Sequence, residues 1–170
     1  AIDHVTLAEG KPACHVIGET AAKGICGSGL IDAAAALLDG KLINKRGRIQ
    51  DISEMNGQRY IPLADDIYLT QDDIRQLQMA KGAIAAGIEL MADHLGITTE
   101  QIDRILLAGA FGSFLNPESA CRIGLLPPPL LSRITVVGNA AGTGAKRMAC
   151  SRQELALAQE LAEKIEFIEL

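Results

Sequence analysis

The residues of this chain that could do chemistry are a set of glycine turns, one lysine and one cysteine. Arg104–Ser113 reads RILLAGAFGS, in which Ile105–Leu107 run into Ala108-Gly109-Ala110-Phe111-Gly112. A strand that stops at a glycine turn leaves bare backbone N–H groups at the carboxyl edge of a sheet, where open α/β sheets take ligands. A tight strand–helix turn that binds nothing is written in the same letters. The pattern recurs where Ile134–Val137 meet Gly138-Asn139-Ala140-Ala141-Gly142-Thr143-Gly144. A third turn, Gly24-Ile25-Cys26-Gly27-Ser28-Gly29, sets a cysteine before a predicted helix. That position suits either a thiol of lowered pKa or a small packed side chain.

The lysine is Lys81. It interrupts an apolar stripe of Ile74, Leu77, Ile84, Ile88, Met91 and Leu95, recurring at helical spacing. A lysine inside a buried stripe is costly to desolvate. Either it snorkels along the helix surface, or that face borders a cleft holding an anion or a polar ligand. Gly82 and Gly87 on the same helix are expected where another element or a ligand passes close. Cys14, Cys26, Cys121 and Cys150 form no CxxC pair, and their spacing fits neither a zinc site nor a plant-type iron–sulfur site. They read as buried, reduced thiols.

The elements that must position these residues follow in order. Ile2–Leu7 and His15–Ile17 read as a hairpin around Ala8–Pro12. Ser28 is placed to cap an Ala- and Leu-rich helix over Leu30–Leu38, ended by Gly40. Turns at Asn44–Gly47 and Gly57-Gln58 precede short strands at Tyr60–Leu63 and Ile67–Leu69. Thr70 caps a long helix from about Gln71 to Leu95, with Asp72 and Asp73 in its first turn and Gly96 beyond its end. A turn at Thr98 or Thr99 leads to the strand at Arg104. Asn116-Pro117-Glu118 opens a further helix, which Pro127–Pro129 stop. Ser151 with Glu154 is a capping box for a helix to about Lys164, and IEFIEL closes as a strand. Two buried strands alternating with helices predict an α/β fold, a mixed sheet covered by helices.

Composition excludes several functions. At 170 residues and 48% apolar, the chain is one domain with an aliphatic core; there are 3 Phe, 2 Tyr and no Trp. A net charge of −5 without basic runs argues against a nucleic-acid surface. No apolar run reaches the roughly 18–20 residues that cross a bilayer, and no signal peptide is visible, so a cytoplasmic setting is expected. The absence of an initial Met suggests a piece of a longer polypeptide.

Four segments carry a resemblance: GICGSGLIDA (24–33), DDIRQLQMAKGAIAAGI (72–88), LLAGAFGSFLNPESACRIGLLP (106–127) and VVGNAAGTGAKRM (136–148). Together they resemble the C-terminal domain of the reductive activators of corrinoid-dependent proteins, ASKHA-type ATPases of acetogens and related anaerobes. The resemblance covers nearly all of residues 1–170 as a single C-terminal ASKHA-type lobe. It implies an RNase H-like, actin-like ATPase fold with ATP in a cleft between two lobes. It assigns Gly109, Ala110, Phe111, Gly112 and Ser113 to the adenosine motif and Gly138 and Asn139 to the second connecting motif. It sets Gln78 and Lys81 where DnaK-type proteins use a Glu-x-x-Lys pair on the adenosine, with Gln in place of the acid.

The Asp-x-Gly-Thr phosphate loops and the iron–sulfur domain of these activators do not occur in the sequence. No catalytic or metal-binding residue is therefore assigned here, and the isolated lobe is expected to hydrolyse ATP poorly or not at all. The intact protein is expected to use ATP or ADP with Mg²⁺ and an iron–sulfur cluster. Its implied work is ATP-dependent reduction of an inactive cob(II)amide corrinoid protein to cob(I)amide, with that corrinoid protein as partner and a homodimer as a possible assembly. The alternatives are an interaction or dimerisation module with a degenerate nucleotide site, or part of an ASKHA kinase or dehydratase activase.

Overall fold

The computed structural model describes residues 1–50, 53–55 and 57–168. Strands β1 (Ile2–Ala8) and β2 (Lys11–Val16) form an antiparallel hairpin. Its turn needs only Glu9 (φ 51°) and Gly10 (φ 79°), both left-handed, as a two-residue hairpin turn requires. The second strand therefore starts at Lys11 rather than His15, and Pro12 pairs with Leu7 inside it.

Helix α1 (Gly27–Asp39) starts earlier than the sequence suggested. Cys26 is its N-cap residue, and Ser28 lies inside the first turn and caps nothing. The Ser28 hydroxyl instead meets Cys26 Sγ at 3.1 Å and donates to the Asp3 carbonyl at 3.4 Å. At the other end Gly40 stays right-handed (φ −73°), and Lys41 takes the left-handed turn (φ 58°). The helix lies between two aliphatic clusters. Ala33 and Leu37 join Ile2, Val5, Ile43 and Ile49 on one side, whereas Ile31 joins Leu115, Ala120, Cys121 and Leu125 on the other.

Strands β3 (Glu54–Met55), β4 (Gln58–Ala64) and β5 (Ile67–Thr70) make a three-stranded antiparallel sheet that delivers the chain to α2 (Gln71–His94). Thr70 and Asp73 form the expected capping box, with Asp72 and Asp73 at the positive end of the helix dipole. The predicted apolar stripe is only partly inward. Ile74 is buried, but Ile84, Met91 and Leu95 are exposed. The inward seam keeps Ile74, Leu77 and Ile88 of the stripe and adds Gln78, Lys81, Ala85 and Ala92. A methyl group on Gly82 would meet nothing within 4 Å, so among the described residues no other element passes close there.

A short 3-10 turn, Thr99–Gln101, precedes β6 (Ile105–Ala108). Helices α3 (Gly109–Phe114) and α4 (Pro117–Arg122) follow, the latter capped by Asn116 Oδ1. Strand β7 (Ile134–Gly138) lies parallel to β6, followed by α5 (Ala140–Cys150) and α6 (Arg152–Glu163). Ser151 caps α6 by accepting from the Glu154 amide.

The mixed α/β class holds, with three corrections. The described strands fall into three small sheets, not one mixed sheet. Strands β6 and β7 are not buried on both faces: Leu106, Val136 and Val137 are exposed, and Val136 and Val137, being consecutive, lie on opposite faces of the two-stranded sheet. Residues 165–168 are not a strand, and Glu169 and Leu170, the rest of the expected terminal strand, lie outside the described residues. Among the described residues no helix is long and apolar enough to cross a membrane.

Candidate functional site

The register of β6 and β7 brings the two glycine turns together. Leu107 pairs with Val136 and Ala108 with Gly138, so both strands end side by side. Gly109 (φ 82°) and Gly138 (φ 65°) are both left-handed, a conformation that side chains with a Cβ disfavour. Each turn opens directly into a helix. In α3 the Ser113 hydroxyl donates to the Gly109 carbonyl at 2.8 Å; in α5 Asn139 Oδ1 accepts from the Gly142 amide at 2.9 Å. The expected glycine turn at Gly109–Ser113 is therefore wound into a short helix.

Those side chains face the start of α1. Ala110, Phe111 and Phe114 line a cavity of about 430 Å³ together with Asp3, Ile17, Cys26, Gly27 and Ser28. Phe111 lies so close to Gly27 that a Cβ there would sit 2.7 Å from its ring. Gly29, next along, would carry a Cβ 2.5 Å from the Ile2 carbonyl oxygen. Glycine at both positions lets the aromatic ring and strand β1 close on the helix start. Cys26 supplies no side-chain cap to the first turn of α1. Phe111 and Phe114 are 49% and 76% exposed, although large rings are usually buried. The cavity thus combines two ring surfaces, the start of a helix and one acidic residue.

That carboxylate is Asp3. A hydrogen bond from His15 Nδ1, 2.6 Å from Asp3 Oδ1, is the main cause that holds its carboxyl below the usual carboxylate range. An ionised carboxylate repels phosphate and accepts from hydroxyls, so this end of the cavity suits a sugar better than a phosphate. Asp3 was not found from sequence. The contact depends on the Cys26 amide donating to the Ile2 carbonyl, a pairing across 24 positions with no local signature. The next residue of β1, His4, pairs through Nδ1 with Asp32 of α1, whose carboxylate is buried.

Gln78 and Lys81 are placed elsewhere. They line a groove with Ala34, Leu38, Asn44 and Lys45, near the far end of α1. Gly27 and Ala34 are seven residues apart on that helix, about 10 Å along its axis. The structure brings Gly109–Ser113 and Gly138–Asn139 to one edge, and does not bring Gln78 or Lys81 into the same cavity.

No described group of three or more His, Cys, Asp or Glu residues could hold a metal ion. The thiols also differ from expectation. Cys121 is buried and Cys14 and Cys26 half-buried, but Cys150 is exposed on the last turn of α5.

Comparison with known proteins gives a family match over residues 1–170, to the C-terminal domain of RACo, the ASKHA domain. The chain is 37% identical over 191 residues to the corrinoid activation enzyme RamQ of Eubacterium limosum, covering 100% of this chain and 32% of that protein. It is 31% identical over 144 residues to a [Co(II) methylated amine-specific corrinoid protein] reductase of Methanosarcina barkeri, covering 85% of this chain and 25% of that protein. Among solved structures, a reductive activator for corrinoid, iron-sulfur protein superposes with a TM-score of 0.86 at 34% identity, over 99% of this chain and 30% of that one. The chain thus spans a third or less of the length of these relatives.

Proposed function

This chain belongs to the family of the C-terminal ASKHA domain of RACo, and from that membership we propose that it is the adenosine-binding lobe of an ATP-dependent reductive activator. The lobe is read as RNase H-like, as in actin-like ATPases. The intact protein returns a cob(II)amide corrinoid protein to cob(I)amide in the cytoplasm: one electron from an iron–sulfur cluster outside this chain reduces Co(II) to Co(I). Binding and hydrolysis of ATP, with Mg²⁺ and the phosphates held outside this chain, shift the protein between states and so drive the uphill transfer. The names of the relatives, which concern corrinoid activation and reduction, support this reading.

The observation that carries the nucleotide assignment is the cavity between Phe111 and the start of α1. Ring faces at Phe111 and Phe114 suit a purine, and Asp3 suits a ribose hydroxyl. The Gly109 and Gly138 turns meet at this sheet edge, the usual ligand edge of α/β folds. This chain's residues bind and orient the adenosine and supply no group to phosphate chemistry. Gln78 and Lys81 are given no part in that contact.

The test uses the full-length protein with a corrinoid protein and a low-potential electron donor, followed by visible spectroscopy. Conversion of the Co(II) spectrum to Co(I) only when ATP is present is expected. Equal conversion without ATP would overturn the assignment.

A second reading, an interaction module, is favoured by one observation. Ile84, Met91 and Leu95 on α2 and Leu106, Val136 and Val137 on the β6–β7 sheet are exposed apolar residues. On that reading the surface meets the corrinoid protein or a second copy.

A further inference from the structure

The groove at Lys81 lies apart from the adenosine cavity, and its chemistry is cationic. Its floor is apolar, formed by Ile74, Leu77 and Ile123; its polar lining is Asn44, Lys45, Gln78 and Lys81, with no acidic residue. Lys81 is half-buried on the inward seam of α2, and its ammonium makes no ion pair or hydrogen bond among the described residues. Gly124 (φ 74°) takes a left-handed turn beside it, where a Cβ would lie 3.4 Å from Lys81 Nζ, in ordinary contact. Lys45, an exposed residue of the 44–48 loop, lines the same groove.

The groove is also preformed. Asn44 Oδ1 accepts from the Arg46 amide at 2.9 Å and the Arg48 amide at 3.0 Å, which folds the 44–48 loop on itself. Two glutamines of α2 then hold the loop. Gln71 accepts from the Ile49 amide at 2.9 Å and donates to the Gly47 carbonyl at 2.8 Å; Gln78 donates to the Arg46 carbonyl at 3.1 Å. A Cβ on Gly47 would strike the Gln78 amide at 2.5 Å. This construction fixes the loop that carries Lys45, which lines the groove with Lys81.

We infer that this groove is an oxyanion site, in which Lys45 and Lys81 hold a phosphate or carboxylate group while the apolar floor takes the carbon body that bears it. Charge-assisted bonds to two ammonium groups supply the affinity, and the fixed loop lowers the ordering cost. The site is separate from the adenosine cavity and does not rest on the nucleotide assignment.

The experiment measures acylation rates of individual lysines in the full-length protein by mass spectrometry, titrating inorganic phosphate or acetate at constant ionic strength. Saturable slowing at Lys45 and Lys81 is expected, about tenfold at a concentration roughly ten times the dissociation constant, with Lys11 and Lys146 unaffected. The stronger of the two anions identifies the group preferred. Lys81→Gln should abolish the protection of Lys45, and Lys45→Gln that of Lys81; the second variant keeps the test open if the first does not fold. Protection should persist in saturating ADP. No protection, equal slowing at every lysine, or loss of protection on adding ADP would each overturn the inference.

Discussion

Phe111 shows how one side chain can join two distant motifs. Its ring covers Gly27, so a substitution at either position should be felt at the other. Gly27→Ala is expected to weaken ADP binding by the full-length protein, since the methyl group must push the ring aside; calorimetric titration checks it. Asp3 and His15 predict a pH dependence. The Asp3 carboxyl lies below its ordinary value of 3.8 mainly through the hydrogen bond from His15. A depressed carboxyl stabilises the fold above its unfolded value and loses that contribution as pH falls through the folded value. Denaturation of His15→Ala should therefore differ from wild type above pH 3.8 and converge with it only as pH falls further, through the lower folded-state value. The thiols give a third prediction. Burial pushes the Cys14 and Cys121 thiols up, which lowers their thiolate fraction at neutral pH, whereas Cys150 is exposed. Brief alkylation of the native protein should label Cys150 first, and preferential labelling of Cys121 would contradict the packing. At this scale the sequence revealed residue types but not partners. Gly109 and Phe111 could be singled out from RILLAGAFGS, whereas Asp3 enters the site only through a long-range strand–helix contact.

Local signals carried most of the elements. Thr70 with Asp73 and Asn116 with Pro117 mark helix starts within a few residues, and both hold in the structure. Thr70→Ala should cost about 1 kcal/mol in chemical denaturation, because it removes one side of a capping box. Ser28 failed as a cap because its hydroxyl is shared with Cys26 and the Asp3 carbonyl, groups brought there by β1. The stripe on α2 held only in part, at Ile74, Leu77 and Ile88, for a similar reason. Periodicity defines a face, but the neighbours decide its rotation, and here the inward seam contains Gln78 and Lys81. Gln71 illustrates a tertiary contact that periodicity cannot reveal: its amide satisfies Ile49 and Gly47 from two turns before Gln78. Gln71→Ala should destabilise the fold by about 1–3 kcal/mol, the cost of leaving buried polar groups unpaired. A cost near zero would mean that the 44–48 loop does not depend on that clamp.

Across the whole molecule, the division into small sheets explains what the sequence could not. Alternating strands and helices indicated an α/β lobe, and the family match covers the entire chain. The strand alternation gave no sign that β1–β2 and β6–β7 would lack hydrogen bonds to each other, leaving a cavity between α1 and α3 where they face. The adenosine assignment rests on that cavity, and Lys81, which looked like part of it, belongs to a separate groove. The most direct test is the ADP affinity of the full-length protein, comparing wild type with Phe111→Ala and Lys81→Ala. Phe111→Ala should bind about tenfold more weakly, as expected for loss of a ring that packs on the base, and Lys81→Ala should bind as wild type does. Unchanged affinity in Phe111→Ala would contradict the placement of adenosine at the end of β6.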